Sequence, residues 1–430
     1  MKSLLVLLFL FGFNALMFAQ TIFDNWLKNQ ENFKIEPFLS LQLWSTYTLG
    51  QEVYNINNKQ YELVDNRLNI LLRRARLGFR VEPLRQVQFT LALGYDGIGR
   101  DVHSGLVGVT NNGNQPSIGV VDAFLHWKIL KDSEGFNLVG GYFRPQLSRE
   151  SMTGAWAVTS MDKAAAQNYL RAHLVGVNLG RVPGINIGGL LINKHLHYNF
   201  GIFNPLFQSN NGNSTGIQYA PLLVGRVALT LGEPEMDHYK IVYDINYYNE
   251  RKGITLALGA AWQGETDLFR NNAVASLDLL LNYNALNIEG EWNWLWRGGK
   301  RSLLDQTIDP FVYQSETGYL RASYNIIINN KIFLEPSFML SRFYGGMNAL
   351  EQDHAKAVSA FAGQDFSYDM GINWHLQRRN LKIMLHYTWR EGQAGAAGAG
   401  ATVNQFFNQP NVGAIRRGDW IGVGLNAIFQ

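Results

Sequence analysis

Arginines recur at two-residue spacing in the segment RLNILLRRARLGFR, residues 67–80. Successive side chains of a β-strand point to opposite faces, so an extended segment here would present Arg74, Arg76 and Arg80 on one face. Guanidinium groups pair with carboxylate and phosphate groups, and rings of Arg or Lys are used in anion pores. Arg73 interrupts the alternation, which predicts a bulge or a change of tilt nearby. The segment is therefore a candidate anion-contacting surface.

Other charged side chains fall on the same predicted face of their own extended segments. The basic set is Arg74, Arg76, Arg80, Arg144, Arg226 and Arg321. The acidic set is Asp278, Glu289, Glu291, Asp365 and Asp369. Two roles stay open for the arginines. Guanidinium groups on the inner face of a closed sheet either select anions or hold neighbouring strands together through carboxylates.

Two smaller groups could carry other chemistry. His195 and His197 form an H-x-H pair that could bind a metal, but no third ligand lies within sequence reach, and plain pore lining is the commoner role. His103, near Asp101 and Ser104, is the closest local approach to a hydrolase constellation and carries no recognisable motif. We therefore expect no metal, no cofactor and no catalytic residue.

Period-two alternation predicts the strands that position these residues. In residues 286–297 the tryptophans at 292, 294 and 296 share one face, opposite Glu289 and Glu291. Such segments run to about 10–14 residues, whereas globular strands typically have 5–6. Many apolar faces end in an amphipathic ring, as membrane girdles require: Trp127, Trp262, Tyr283, Trp296, Tyr324, Trp374 and Trp389. The pattern predicts an all-β fold, a transmembrane antiparallel up-and-down barrel.

About sixteen strands are predicted, an even number in the range of porin barrels. They span residues 34–46, 67–81, 87–97, 120–129, 137–148, 171–180, 195–203, 222–231, 253–263, 273–284, 286–297, 317–326, 331–342, 364–376, 381–390 and 419–429. Long and short connections mostly alternate, and a periplasmic N-terminus would make the long ones extracellular. Connections 181–194 and 232–252 are too long and look strand-like at 185–192 and 239–248, so eighteen strands remain an alternative.

Strands two and ten of a sixteen-stranded barrel lie opposite each other, so the two charged sets predict a basic wall facing an acidic wall. The field between them would orient dipolar solutes. The connection between the fifth and sixth predicted strands, residues 151–170, is rich in small residues. It follows Arg149, and its charged residues are Asp162 and Lys163. It either folds inward and narrows the pore as a constriction loop or is an ordinary extracellular loop.

The N-terminal sequence MKSLLVLLFLFGFNALMFAQ has the layout of a secretory signal peptide, with Lys2 before an apolar run. The run is shorter than a spanning helix needs, so cleavage after Ala19 is favoured over an uncleaved anchor. The expected domains are a signal peptide (1–19), a periplasmic segment (20–33) and the barrel (34–430). The absence of Cys excludes a lipid anchor through a terminal Cys, a disulfide framework and thiolate metal sites. A net charge of +3 gives no argument for nucleic acid.

Five stretches in order carry a family resemblance: RRARLGFR (73–80), VDAFLHWK (121–128), GGYFRPQLSRE (140–150), LVGRVALTLG (223–232) and LALGAAWQ (256–263). The chain resembles the phosphate-selective porin O/P family of outer-membrane porins, in its Bacteroidetes-type version. The resemblance implies a trimeric sixteen-stranded porin whose loop between the fifth and sixth strands narrows the channel. It also implies that Arg74, Arg76 and Arg144 lie near the pore wall.

The sequence thus predicts an outer-membrane porin for passive diffusion of small hydrophilic solutes, assembled as a homotrimer among outer-membrane lipid and lipopolysaccharide. A preference for anions or phosphate stays open, because the narrowing loop lacks a run of Lys or Arg and the lumen carries many acids. The alternatives are a non-conducting barrel that serves as a scaffold or surface receptor and, third, a barrel hydrolase.

Overall fold

The chain folds into a closed antiparallel barrel of sixteen strands, with one extra short strand in the same sheet. The computed structural model describes residues 33–107, 118–176, 180–205, 208–209, 212–213, 217–299, 310–329 and 331–429. The barrel strands are β1 (Lys34–Leu49), β2 (Arg67–Leu84), β3 (Val87–Ile98), β4 (Gly119–Lys128), β5 (Asn137–Phe143), β6 (Val182–Leu191), β7 (Leu196–Phe203), β8 (Leu222–Gly232), β9 (Lys252–Gln263), β10 (Asn271–Tyr283), β11 (Leu286–Gly299), β12 (Phe311–Tyr324), β13 (Phe333–Tyr344), β14 (Gln364–Gln377), β15 (Leu381–Gln393) and β16 (Asp419–Phe429). Each strand pairs with its chain neighbours, and β1 also pairs with β16, which closes the sheet.

Alternation along each strand explains the closure. On β9 the side chains of Leu256, Leu258 and Trp262 are exposed on the outside, while Thr255 and Gln263 are buried inside. An apolar outer surface suits lipid, and lipid offers the backbone no hydrogen bonds, so a spanning sheet must close on itself. The predicted fold class is confirmed. No helix of the described part of the chain is long and apolar enough to cross a membrane.

The two ends of the barrel differ in their connections, as predicted. At one end, called the turn end, strands are joined by short connections such as residues 85–86 and 284–285. At the other, called the loop end, the connections are long, such as residues 50–66 and 394–418. The extra strand, Ile326–Ile327, pairs with β13 at the turn end.

The predicted sixth strand at 171–180 is wrong. Residues Ala166–Val175 form a helix, α2, and the sixth strand is Val182–Leu191. Leu170 and Leu174 are buried one helical turn apart, and Gly176, at φ +69°, ends the helix in the left-handed conformation. With this correction the connection from β6 to β7 is a short turn, which removes one reason to consider eighteen strands.

The second irregular connection, residues 233–251, is not a strand pair. Tyr243 forms one isolated bridge with Thr153, and the segment is otherwise irregular. We call residues 233–251 the inner turn, because they enter the lumen from the turn end. Residues 144–181, called the inner loop, enter from the loop end and contain α1 (Arg149–Met152) and α2.

The hydrophobic core of the molecule lies inside the barrel. Its largest cluster joins Leu147 and Leu170 of the inner loop to Tyr239 of the inner turn and to the inward side chains Phe203 and Val224 of β7 and β8. Packing of this kind is unusual for a water-filled tube and fixes both inner segments against the wall. The open part of the lumen therefore lies on the side of β1 to β5.

Outside the membrane strands, the loop end carries a small four-stranded sheet of Glu52–Asn55, Gln60–Leu63, Asn408–Gln409 and Gly413–Arg416. A further helix, α3 (Ala349–Ala357), follows β13 and starts with a capping box of Asn348 and Glu351. A strand pair, Gln208–Ser209 with Gly212–Asn213, and a 3-10 turn, Gly395–Ala397, complete the described elements. Residues 1–32 lie outside the described residues, so the signal peptide stays a prediction.

Candidate functional site

A cavity of about 620 Å³ lies between the inner loop, the inner turn and the inward faces of β1 to β5, and a few inward residues of β13 to β16 complete its lining. Eleven Lys and Arg side chains and six Asp and Glu side chains line it, which leaves a surplus of five positive charges. The lining runs from Glu36 and Arg80 near the turn end to Arg390 and Trp420 near the loop end. The cavity is therefore the candidate solute path and has a basic character.

The sequence-predicted arginines of β2 do face this cavity. A register shift between β1 and β2 lies at Arg73, which matches the predicted bulge and turns both Arg73 and Arg74 inward. Arg76 pairs with Asp96 at 2.5 Å, and Arg80 approaches Glu36 at 3.9 Å.

The inner loop reaches across the lumen to this wall through Asp162. Its two carboxylate oxygens accept hydrogen bonds from Arg73 at 2.6 Å and from Arg74 at 2.7 Å. Burial raises the pKa of Asp162, but the two guanidiniums outweigh burial and hold it well below its usual range. Asp162 therefore neutralises part of the basic wall and fixes the tip of the loop there.

Three cations of the inner loop lack a carboxylate partner within the described residues. Arg144 donates to the carbonyl oxygen of Ser151 at 2.9 Å, and Lys163 donates to that of Thr153 at 2.9 Å. Arg171 donates to the side-chain oxygen of Asn168. We call Arg144, Lys163 and Arg171 the loop cations.

The loop cations also lie close enough to other cations to feel their charge. Burial, with Arg181 and Arg74 nearby, lowers the pKa of Arg171 to about 9. Burial and the neighbouring Arg144 lower the pKa of Lys163 well below its ordinary value. Their positive charge is thus poorly compensated, and a bound anion would relieve it.

The predicted acids lie on the opposite wall, and four of the five, all but Asp369, lie away from the cavity. Asp278 is buried and pairs with Arg226 of β8 at 2.7 Å and with Arg149 of the inner loop at 3.2 Å. Arg149 also makes a two-bond contact with Glu235 of the inner turn, at 2.7 and 2.9 Å. Burial raises the pKa of Glu235, but the Arg149 guanidinium outweighs it and lowers that pKa to about 2.

A second buried group joins the inner loop to β11 and β12. Arg321 pairs with Glu289 and, at 3.0 Å, with Glu150 of α1. Glu291 accepts a hydrogen bond from the backbone N–H of Glu150 at 2.7 Å. The inner loop therefore lies on the acidic side chains and uses them as anchors.

The remaining anchors lie on β14 and β15. Asp365 pairs with Arg390 at 2.5 Å and accepts a hydrogen bond from Tyr169 of α2. Asp369 accepts hydrogen bonds from His386 and from the backbone N–H of Met161. The expected field between two open walls does not form, because the inner loop covers all the predicted acids except Asp369, which borders the cavity.

The structure accordingly separates the predicted site residues into two groups. Cavity-lining positions are Arg74, Arg76, Arg80, Arg144, Asp162, Lys163 and Asp369. Buried anchor positions away from the cavity are Arg149, Arg226, Arg321, Asp278, Glu289, Glu291 and Asp365. Arg226 and Arg321 point inward as expected, yet the inner loop lies between them and the open lumen.

With Arg144 in the lumen, alternation along residues 137–148 predicts Tyr142 in the lumen and Val139 and Phe143 facing lipid, and the structure shows the reverse for these three residues. Val139 and Phe143, expected to face lipid, are buried inside in the luminal core. Tyr142, expected in the lumen, is half-buried and pairs in register with Pro183, which is exposed. Arg144 still lines the cavity, because it follows the last strand residue and belongs to the inner loop.

Sequence reasoning missed Arg171 and Arg181. The sequence predicts Arg171 in the sixth strand, whereas it lies on α2, and it predicts Arg181 in an irregular connection. Arg181 pairs with Asp122 of β4 at 2.7 Å and lines the cavity. Its position directly before β6 would have placed it at the lumen, had that strand been located correctly.

The histidine pair, His195 and His197, and the group around His103 do not line the cavity. His195 lies in the turn before β7 and contacts backbone carbonyls, whereas His197 is buried against Tyr243 at 2.6 Å. The backbone N–H of His103 donates to Asp101, and its ring Nδ1 contacts no described acceptor or donor.

Comparison with known proteins gives a family and a fold. The sequence model of a family described as phosphate-selective porin O and P matches residues 49–405. Similar solved structures include OprB of Pseudomonas putida (10% identity, 92% of this chain and 94% of that chain, TM-score 0.57), an anion-selective porin from Comamonas acidovorans (12%, 93% and 100%, 0.54) and the outer membrane channel DcaP of Acinetobacter baumannii (10%, 92% and 97%, 0.53). No curated protein sequence matches significantly. At these identities the structural likeness shows the shared fold alone.

Proposed function

Because this chain belongs to the phosphate-selective porin O and P family, we propose that its channel prefers anions and that the loop cations set this preference. Family membership makes the protein an outer-membrane porin for small solutes, a channel rather than an enzyme. The proposal concerns the sign and origin of its ion selectivity.

The observation that carries the proposal is the unequal pairing of charges along the cavity. Arg73 and Arg74 share Asp162, and Arg76 and Arg181 each pair with a carboxylate of their own, all within 2.7 Å, so these four cations together leave a single net positive charge. The loop cations have none among the described residues. Low-dielectric walls focus the field of such charges into the passage, and this raises the local concentration of anions.

Reversal potential across a KCl gradient in a planar bilayer tests the proposal. The wild-type channel should favour chloride over potassium. The triple variant Arg144→Gln, Lys163→Gln, Arg171→Gln should lose most of this preference, because it removes three uncompensated charges and no ion pair. Lys194→Gln, an exposed turn-end change, is the matched control and should leave the potential unchanged.

Phosphate adds a second measurement to the same experiment. Phosphate added to a chloride solution should reduce the current, and the triple variant should weaken this block. Potassium preference in the wild type, or a triple variant that keeps the wild-type reversal potential, would contradict the proposal. A silent bilayer over several preparations of folded protein would argue against conduction itself.

We further propose that the channel is a homotrimer surrounded by outer-membrane lipid and lipopolysaccharide, and that residues 1–19 are removed on export. The exposed belt of Leu, Ile, Val and Trp side chains on the outer faces of the strands supports contact with lipid. Native mass spectrometry in detergent would give the oligomeric state, and N-terminal sequencing of the membrane form would give the cleavage site.

A further inference from the structure

Apolar side chains share the cavity with the cations. Four of them retain exposed or half-exposed surface there: Phe38 of β1, Phe124 of β4, Trp156 of the inner loop and Val242 of the inner turn. Val242 is 52% exposed although it lies in the interior of the barrel. Apolar surface kept in contact with water is unfavourable in proportion to its area, so its retention in a passage marks it as a contact surface.

The apolar side chains are interleaved with the guanidinium groups. The Arg80 guanidinium lies 5.3 Å from the centre of the Phe38 ring, and that of Arg76 lies 5.8 Å from the Trp156 ring. Asp122, which holds Arg181, is two residues before Phe124 on the same inward face of β4. The Phe38 and Trp156 rings therefore each stand beside a cation along the path.

Inorganic phosphate or chloride uses only half of such a lining, because neither ion has an apolar surface to bury. A solute with an anionic group at one end and a ring or short apolar body at the other would use both halves. The volume of about 620 Å³ falls within the range of sites that enclose small organic ligands.

We propose that the channel selects small organic anions that carry an aromatic ring over inorganic anions of the same charge. The anionic head contacts the loop cations, and the ring packs against Trp156 and Val242. This inference rests on the proposed anion preference and names the solute class for the same cavity.

Block of the chloride current by inorganic phosphate and by phenyl phosphate, two anions with related heads, tests the inference. Phenyl phosphate should half-block the wild-type channel at about one tenth of the phosphate concentration, the gain expected from burying roughly 55 Å² of ring surface. Trp156→Gln and Val242→Thr should each move this concentration ratio toward one. Val242→Thr keeps the shape of the side chain and replaces one methyl by a hydroxyl, and because Val242 is exposed to the cavity this change should leave folding intact.

Two controls separate the possible failures. Val53→Thr, the same change in the small outer sheet, should keep the tenfold ratio. Arg144→Gln should weaken both blockers together and leave their ratio unchanged. A ratio near one in an anion-selective wild-type channel overturns this inference alone, as does a ratio that Trp156→Gln and Val242→Thr leave unchanged. A wild-type channel that prefers potassium overturns the anion preference and this inference together.

Discussion

The wall of β1 to β5 and the wall of β10 to β15 both carry inward charges at alternate positions, yet these charges have different roles. On the first wall Arg76 and Arg80 border an open cavity. On the second, Asp278 and Glu289 are buried beneath the inner loop. Asp278 pairs with Arg149 and Arg226, and Glu289 pairs with Arg321. The role of an inward charge in this barrel therefore depends on whether the inner loop covers it, and not on the strand that carries it.

The largest expected effect is the loss of an anchor on the covered wall. Arg149→Met leaves Glu235 and Asp278 buried without their shared cation, and breaking such a buried pair typically costs about 3–5 kcal/mol. Urea unfolding of the refolded barrel in detergent would measure the free energy of unfolding. The matched change on the open wall, Arg80→Met, removes a half-exposed pair at 3.9 Å and should cost less than about 1 kcal/mol. Equal losses in the two variants would remove the distinction between the walls.

The inner turn supports the covered wall from the other end, so shortening it should open the lumen. Replacing residues 237–248 by a short glycine–serine turn removes the bridge between Tyr243 and Thr153 and the packing of Tyr239. Single-channel conductance should then rise severalfold and the anion preference should fall, because the inner loop loses its support. Unchanged conductance in a folded variant would show that the inner loop holds its position alone.

Acid should weaken the ion pair between Glu235 and Arg149, which supports the covered wall, before it affects the ion pairs of the open wall. The pKa of Glu235 is lowered from 4.5 to about 2 in the folded protein, so its contribution to stability is complete above pH 4.5 and is lost as the pH falls toward 2. That contribution is about 3 kcal/mol. The urea midpoint, measured from pH 7 to pH 2, should be steady at first and fall below about pH 4.5. Glu235→Gln should flatten this fall, and a midpoint that declines steadily from pH 7 to pH 5 would contradict the assignment.

The smallest effect is expected at the turn-end mouth of the open wall. Arg80→Gln removes one charge that is partly solvated and shared with Glu36. Salt screens exposed charges beyond about 10 Å at 0.1 M, so the shift in reversal potential should be well below that of any single loop-cation variant. An equal shift for Arg80→Gln and Arg171→Gln would mean that the mouth, and not the inner loop, sets the selectivity.

Much of the fold was predictable from local pattern, and the exceptions share a physical cause. The β2 arginines were placed correctly because one apolar and one polar face repeat every two residues along that strand. The pattern failed at α2 and on β5, where the interior carries apolar side chains such as Leu170, Leu174 and Phe143. Alternation identifies the lipid face only when the inside is wet, and these segments pack against the luminal core.

The alternation along the chain was enough to predict a closed barrel of about sixteen strands and the inward direction of most charged side chains, because a lipid-exposed sheet must close and must alternate. Which of these charges meet water follows from the positions of the inner loop and the inner turn. Asp162 reaches Arg73 and Arg74 across about ninety residues of chain, and Arg149 meets Glu235 from the opposite end of the barrel. Such contacts depend on how two irregular segments fold into a shared interior, and no local periodicity encodes that.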